Sequence, residues 1–283
     1  MIRRTAVLST LISALSMTVL LGACSKNEEK DAAEEQQAAS DSQAAEAPAA
    51  APAPERKIDY WKVIGPLVAG SYSGKCMRMP DARQMDAAIV IGADGKASSG
   101  DLSIDFHAAK MATLMRTRDK DGQYGTQLVL SVDDGKAGTL SLASGVANKD
   151  GSASLGKDDI GLVCGNITGA EKLNAQPLFT VLGKLVDGKK QTIGCLDTKN
   201  LLVRRDTNVE VADGVVKIGD AAYDMKTATT ESFIFSDSGS TLSVSIALPD
   251  ERTVNISYDG AGKLIHVQGY QKQESTHFCN VQN

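Results

Sequence analysis

The side chains that could do chemistry in this 283-residue chain are few and scattered. Its three histidines, His107, His266 and His277, have no cysteine or acidic residue near them at metal-ligand spacing. His266 lies in Leu264-Ile-His-Val-Gln-Gly-Tyr270, on the face opposite Ile265 and Val267, and reads as a surface strand residue. Met77, Met79, Met85, Met111 and Met115 crowd one stretch. Thioethers bind Cu(I), but the later part of the chain keeps only Met225, so the group reads as core filler. Asp119-Lys-Asp121-Gly122 has the middle of a calcium loop, yet the acidic ligand due later in such a loop falls on Leu128. A hairpin turn is the expectation there. There is no Gly-x-Ser-x-Gly and no His-Glu-x-x-His motif. No convergent nucleophile, base or metal set is visible, so the expectation is a protein that is not an enzyme and has no cofactor.

The five cysteines carry more information. Arg3 and Arg4 precede an apolar run from Ala6 to Leu21, which ends in Leu21-Gly22-Ala23-Cys24. A basic start, a short apolar core and small residues before a cut define a secretory signal. The run is shorter than the roughly 20 residues a spanning helix needs. Leu21-Gly22-Ala23-Cys24 resembles the lipobox of bacterial lipoproteins. That resemblance covers only these first residues. It implies cleavage before Cys24, a diacylglycerol thioether on that residue and an added acyl chain such as palmitate. Several acyl chains make an anchor permanent. Ser25, in place of Asp, implies by the sorting rule of this family an outer-membrane location, facing the periplasm or the cell surface.

Residues 24–57 form a low-complexity stretch rich in Ala, Glu and Pro, with no aromatic or large aliphatic residue. It cannot bury enough apolar surface to offset its ordering entropy. It therefore reads as a disordered tether of at most ~110 Å when extended. The net charge of the chain is −5. The signal carries two arginines, and the tether four basic and eight acidic residues, which leaves −3 on the rest. So mild a charge argues against nucleic acid as a partner.

The remaining cysteines, Cys76, Cys164, Cys195 and Cys279, are even in number, as exported proteins with disulfides have them. An internal repeat chooses among the three possible pairings. Val63-Ile-Gly-Pro-Leu-Val-Ala-Gly70, after Trp61, recurs as Val181-Leu-Gly-Lys-Leu-Val-Asp-Gly188, after Phe179. Cys76 then corresponds to Cys195, Ala93-Asp94-Gly95 to Ala212-Asp213-Gly214, and Gly100-Asp101-x-x-x-Asp105 to Gly219-Asp220-x-x-x-Asp224. Cys164 and Cys279 close the two units. The period suits two small domains, 58–170 and 171–283, with bridges Cys76–Cys164 and Cys195–Cys279.

Period-two alternation marks strands, as in Leu242-Ser-Val-Ser-Ile-Ala-Leu248 and Thr253-Val-Asn-Ile-Ser-Tyr258. Asp-Gly pairs at 94, 121, 134, 150, 187, 213 and 259 supply the backbone that tight hairpins need. The expected fold is all-β: two tandem small antiparallel barrels or sandwiches, each pinned by a bridge from first strand to last. Before each, residues 58–68 and 177–186 are expected to form a helical turn that packs Trp61 or Phe179. The plan of lipid anchor, small β domain and bridge is similar to that of lipoprotein inhibitors of lysozyme and lipoprotein immunity proteins, although no motif of those families is present. The resemblance implies a protein-binding module acting on a cell-wall-degrading enzyme. The alternative is a structural or assembly lipoprotein of an outer-membrane complex.

Overall fold

The computed structural model describes residues 57–281, except 108, 134–136, 147, 175–177, 179–188, 198–199 and 201–202. One helix, α1 (Trp61–Val68), precedes the strands. The first half has β1 (Gly70–Met79), β2 (Arg83–Ile91), β3 (Lys96–Ser99), β4 (Leu102–Asp105), β5 (Met111–Arg118), β6 (Tyr124–Val132), β7 (Gly138–Gly145), β8 (Asn148–Lys157) and β9 (Ile160–Thr168), then a 3-10 turn, Glu171–Asn174. The second half has β10 (Lys189–Leu196), β11 (Arg204–Ala212), β12 (Val215–Ile218), β13 (Ala221–Asp224), β14 (Thr230–Ser236), β15 (Thr241–Ala247), β16 (Arg252–Asp259), β17 (Leu264–Gln271) and β18 (Glu274–Asn280).

The alternation read in the sequence is the burial pattern of the strands. Inward residues of β15 are Leu242, Val244 and Ile246, and those of β16 are Val254, Ile256 and Tyr258. Each half pairs its first strand with its last, β1 with β9 and β10 with β18. Cys76 stands opposite Cys164 and Cys195 opposite Cys279, and both pairs are bonded. These are the pairings that the repeat selects. Helix α1 seals the first half. Trp61 is buried and donates from Nε1 to the carbonyl of Ala93, 2.8 Å away in the β2–β3 turn. Gly65 leaves room for the indole, since a Cβ there would stand 2.9 Å from Trp61 Nε1. The second expected helical turn, 177–186, and the turns at Asp134 and Asp187 lie outside the described residues, apart from Leu178.

The sheet departs from the expectation of two separate barrels or sandwiches. Successive strands pair antiparallel throughout each half except at one step: β4 does not pair with β5, nor β13 with β14. Instead β5 pairs along seven residues with β14, from Met111↔Ser236 to Thr117↔Thr230. Among the described residues the result is one continuous antiparallel ladder of 18 strands that ends on β4 and β13, and these residues fall in one compact unit. The physical reason lies in the β4–β5 connection. The Tyr60 hydroxyl donates to the carbonyl of Phe106 and accepts from the N–H of Ala109. These backbone groups are thus satisfied without a β4–β5 ladder, and the edge of β5 is left for β14. Inward residues meet across this seam as Ala112 opposite Phe235, Leu114 opposite Phe233, and Arg116 opposite Glu231.

Candidate functional site

The Asp119 hairpin builds one wall of a cleft in the first half. Asp119 Oδ1 accepts from the backbone N–H groups of Asp121 and Gln123, at 2.9 and 2.8 Å. Asp259 makes the same turn in the second half, accepting from Ala261 and Lys263 at 2.9 and 2.8 Å. The sequence that resembled a calcium loop is therefore an Asx turn, and Leu128 is buried in β6. The cleft, about 700 Å³, lies between this hairpin, the β7–β8 connection and the 3-10 turn. Asp119, Asp121, Asp150 and Glu171 line it, with Lys149 as the one lysine and Tyr124 and Asn174 among its polar walls.

Behind the cleft runs a buried polar chain. Thr126 Oγ1 donates to Asn174 Oδ1 at 2.6 Å, and Asn174 Nδ2 donates to Ser144 Oγ at 3.1 Å. Arg116, 2% exposed, donates from Nε to Thr126 Oγ1 at 3.2 Å and from Nη2 to the carbonyl of Leu173 at 2.8 Å. Its guanidinium lies 5.1 Å from the centre of the Tyr124 ring, a cation–π distance. Glu231, 4% exposed, faces it across the seam and accepts from the backbone of Leu178. Arg116 Nη1 and Glu231 Oε1 have no hydrogen-bond partner among the described residues. Burial pushes the Glu231 carboxyl up to about 7 against the pull of Arg116. Burial likewise lowers the Arg116 guanidinium, and Glu231 opposes that. Neither residue stood out in the sequence. The signal available was a charge on the buried parity of each strand, in Ala112-x-Leu114-x-Arg116 and in Glu231-x-Phe233-x-Phe235.

The residues singled out from sequence are not brought together. Cys24 lies outside the described residues. His107 is exposed, and its N–H donates to Asp105 Oδ1 at 2.9 Å. Asp224 does the same for Lys226 at 3.0 Å, so this recurring aspartate ends a strand in both halves. His266 is half-buried, with its ring edge-on to Phe278 at 5.5 Å. His277 is half-buried in β18, and burial lowers its imidazole below the usual range. The methionines correct the expectation of core filler. Met77, Met79, Met85 and Met111 are exposed and Met115 is half-buried, whereas Met225 is in the core. Met111 and Met115 lie on β5, which neighbours neither β1 nor β2. Among the described residues, no three His, Cys, Asp or Glu side chains are grouped to hold a metal ion. Comparison with protein-family models, with curated proteins and with solved structures finds no match.

Proposed function

We propose that this chain is an envelope lipoprotein, cut before Cys24 and held on the outer membrane by acyl chains on that residue. Its β body, two duplicated units of about 110 residues, acts without catalysis, by binding a basic protein. A cell-wall-degrading enzyme suits the role, because an enzyme that works on an anionic wall carries a cationic face. The observation that supports this reading is the rim of the cleft, where Asp119, Asp121, Asp150 and Glu171 surround a single lysine. Arg118 Nη2 lies 3.2 Å from where a Cβ would stand at Gly122, and Lys120 and Lys172 flank the rim, so the carboxylates would act as local ion-pair partners that fix the register of a cationic face. The Asx turn fixes the Asp119 hairpin, which lowers the ordering cost of docking.

The test is inhibition of a panel of basic wall hydrolases by the purified chain, repeated with the Asp121→Lys/Asp150→Lys variant. At least one hydrolase should be inhibited. The variant should associate at least about tenfold more slowly at low salt, with its unfolding midpoint unchanged. If no hydrolase is inhibited or captured by the native chain, the reading fails.

A further inference from the structure

The second half carries a groove of a different kind. It lies on the outer face of β15, β16 and β17, has a volume of about 650 Å³, and is lined by Ser245, Thr253, Asn255 and Tyr270 with Glu251, Lys272 and Gln273 at the turns. The ladder sets Ser245 beside Asn255 and Thr253 beside Tyr270. None of these seven side chains hydrogen-bonds within the described residues, so their donors and acceptors face solvent uncommitted.

The face around the groove is unusual in charge. On β7, β6, β5, β14, β15, β16 and β17 the outward side chains are mostly Ser, Thr, Asn and Gln. Asp259, at the end of β16, is the one carboxylate among them, and it caps its own turn. His266 is the one other titratable group apart from Tyr270. Yet 23% of the chain is charged, and on β1 and β2 the outward Lys75 and Asp86 form an ion pair at 2.7 Å. The charges are therefore placed elsewhere.

We propose that this groove binds an uncharged saccharide chain. Sugar hydroxyls donate and accept at once, and so do the hydroxyl and amide side chains that line the groove. Tyr270 adds an aromatic surface for sugar C–H groups. A charge-free floor avoids stripping water from ions against a ligand that cannot pair them. A charged ligand would find only Lys272 and Glu251, whose effects cancel. A protein partner would ordinarily need several large aromatic or apolar anchors, and the groove is lined by Tyr270 alone of that kind, Met115, Val129 and Ile234 lying outside it on β5, β6 and β14. The volume is within the range of small-molecule sites.

The test is saturation-transfer NMR with the full chain in detergent, using tetra-N-acetylchitotetraose and maltotetraose as probes. At least one should receive transfer, and its dissociation constant should rise at least about tenfold in Tyr270→Ala and in Asn255→Asp. Both side chains point outward, so thermal unfolding should be unchanged. No transfer to either probe overturns the proposal, and so does transfer that both variants leave intact. Self-association abolished by Asn255→Asp, without saccharide binding, also overturns it and assigns the face to a second copy. The hydrolase assay reads the acidic cleft of the other half, so either result can fail without the other.

Discussion

The two halves share a framework and differ in what they present. Each pairs its first strand with its last through a bonded pair of cysteines. Each ends its fourth strand on an aspartate that accepts from the N–H two residues on. Each turns β3 into β4, or β12 into β13, on a glycine with positive φ, Gly100 at 60° and Gly219 at 56°. The open surfaces differ. The first half holds a cleft rimmed by carboxylates, and the second a groove with no charge on its floor. What recurs is backbone geometry and covalent closure, and what diverges is outward side chains. That is the division expected where a scaffold is kept and its surfaces are free to change.

The largest effect should come from the shared part. The bridges close loops of similar length, with sequence separations of 88 and 84. Replacing either cysteine pair by serines should cost about 4–5 kcal/mol in urea unfolding, nearly equally for the two. Because β5 and β14 form one ladder, both variants should lower a single transition. Two separate transitions would break the picture of one sheet.

The seam comes next. Removing one member of a buried charged pair leaves the other uncompensated, so Arg116→Met should destabilise by about 3–5 kcal/mol. The double variant Arg116→Met/Glu231→Leu should recover most of that loss, and a double-mutant cycle gives the coupling directly. An additive result would show that the halves are not coupled there.

The same pair predicts a pH dependence. Glu231 binds its proton more tightly when folded, at about 7, than when unfolded, near ~4.5. The folded state therefore holds more protons in that window. The contribution is full below about pH 4.5 and is lost as pH rises towards about 7, on the order of 3 kcal/mol in all. His277 has the opposite sign. Its lowered imidazole favours the folded state more as pH rises through the usual histidine range. Glu231→Gln should remove the first slope and leave the second, which unfolding curves at several pH values will separate. The smallest effect tests the shared turns. Asp119→Ala and Asp259→Ala each remove two side-chain hydrogen bonds to backbone N–H groups and should each cost about 1 kcal/mol.

Local rules made much of this legible. Alternation in Leu242–Leu248 and Thr253–Tyr258 gave inward and outward faces correctly, and Asp94-Gly95 and Asp213-Gly214 are turns. Asp150-Gly151 is not a turn. It lies within β8, where the ladder with β7 shifts register between Ala143 and Gly145. A Cβ at Gly151 would stand 2.9 Å from Ile167 Cγ1, so close packing asks for glycine there as well as its positive φ of 65°. The joining of β5 to β14 could not be read, because an edge pairing between strands over one hundred residues apart leaves no local pattern. The cleft escaped for a related reason: Asp121 comes from a hairpin turn, Asp150 from β8 and Glu171 from the 3-10 turn, and they meet only in the fold.

Where the chain enters this body has a mechanical consequence. The N–H of Ile58 donates to the carbonyl of Gly239 at 2.8 Å, in the second half. Two residues later, Tyr60 holds the β4–β5 connection of the first half and packs its ring 5.7 Å from that of Phe235 on β14. A pull on the residues before Ile58 is thus delivered at the seam, to both halves at once. The load is shared across the two bridged halves of one sheet, so it does not peel one edge strand at a time. A protein working at the end of a line under tension would be fastened at such a point.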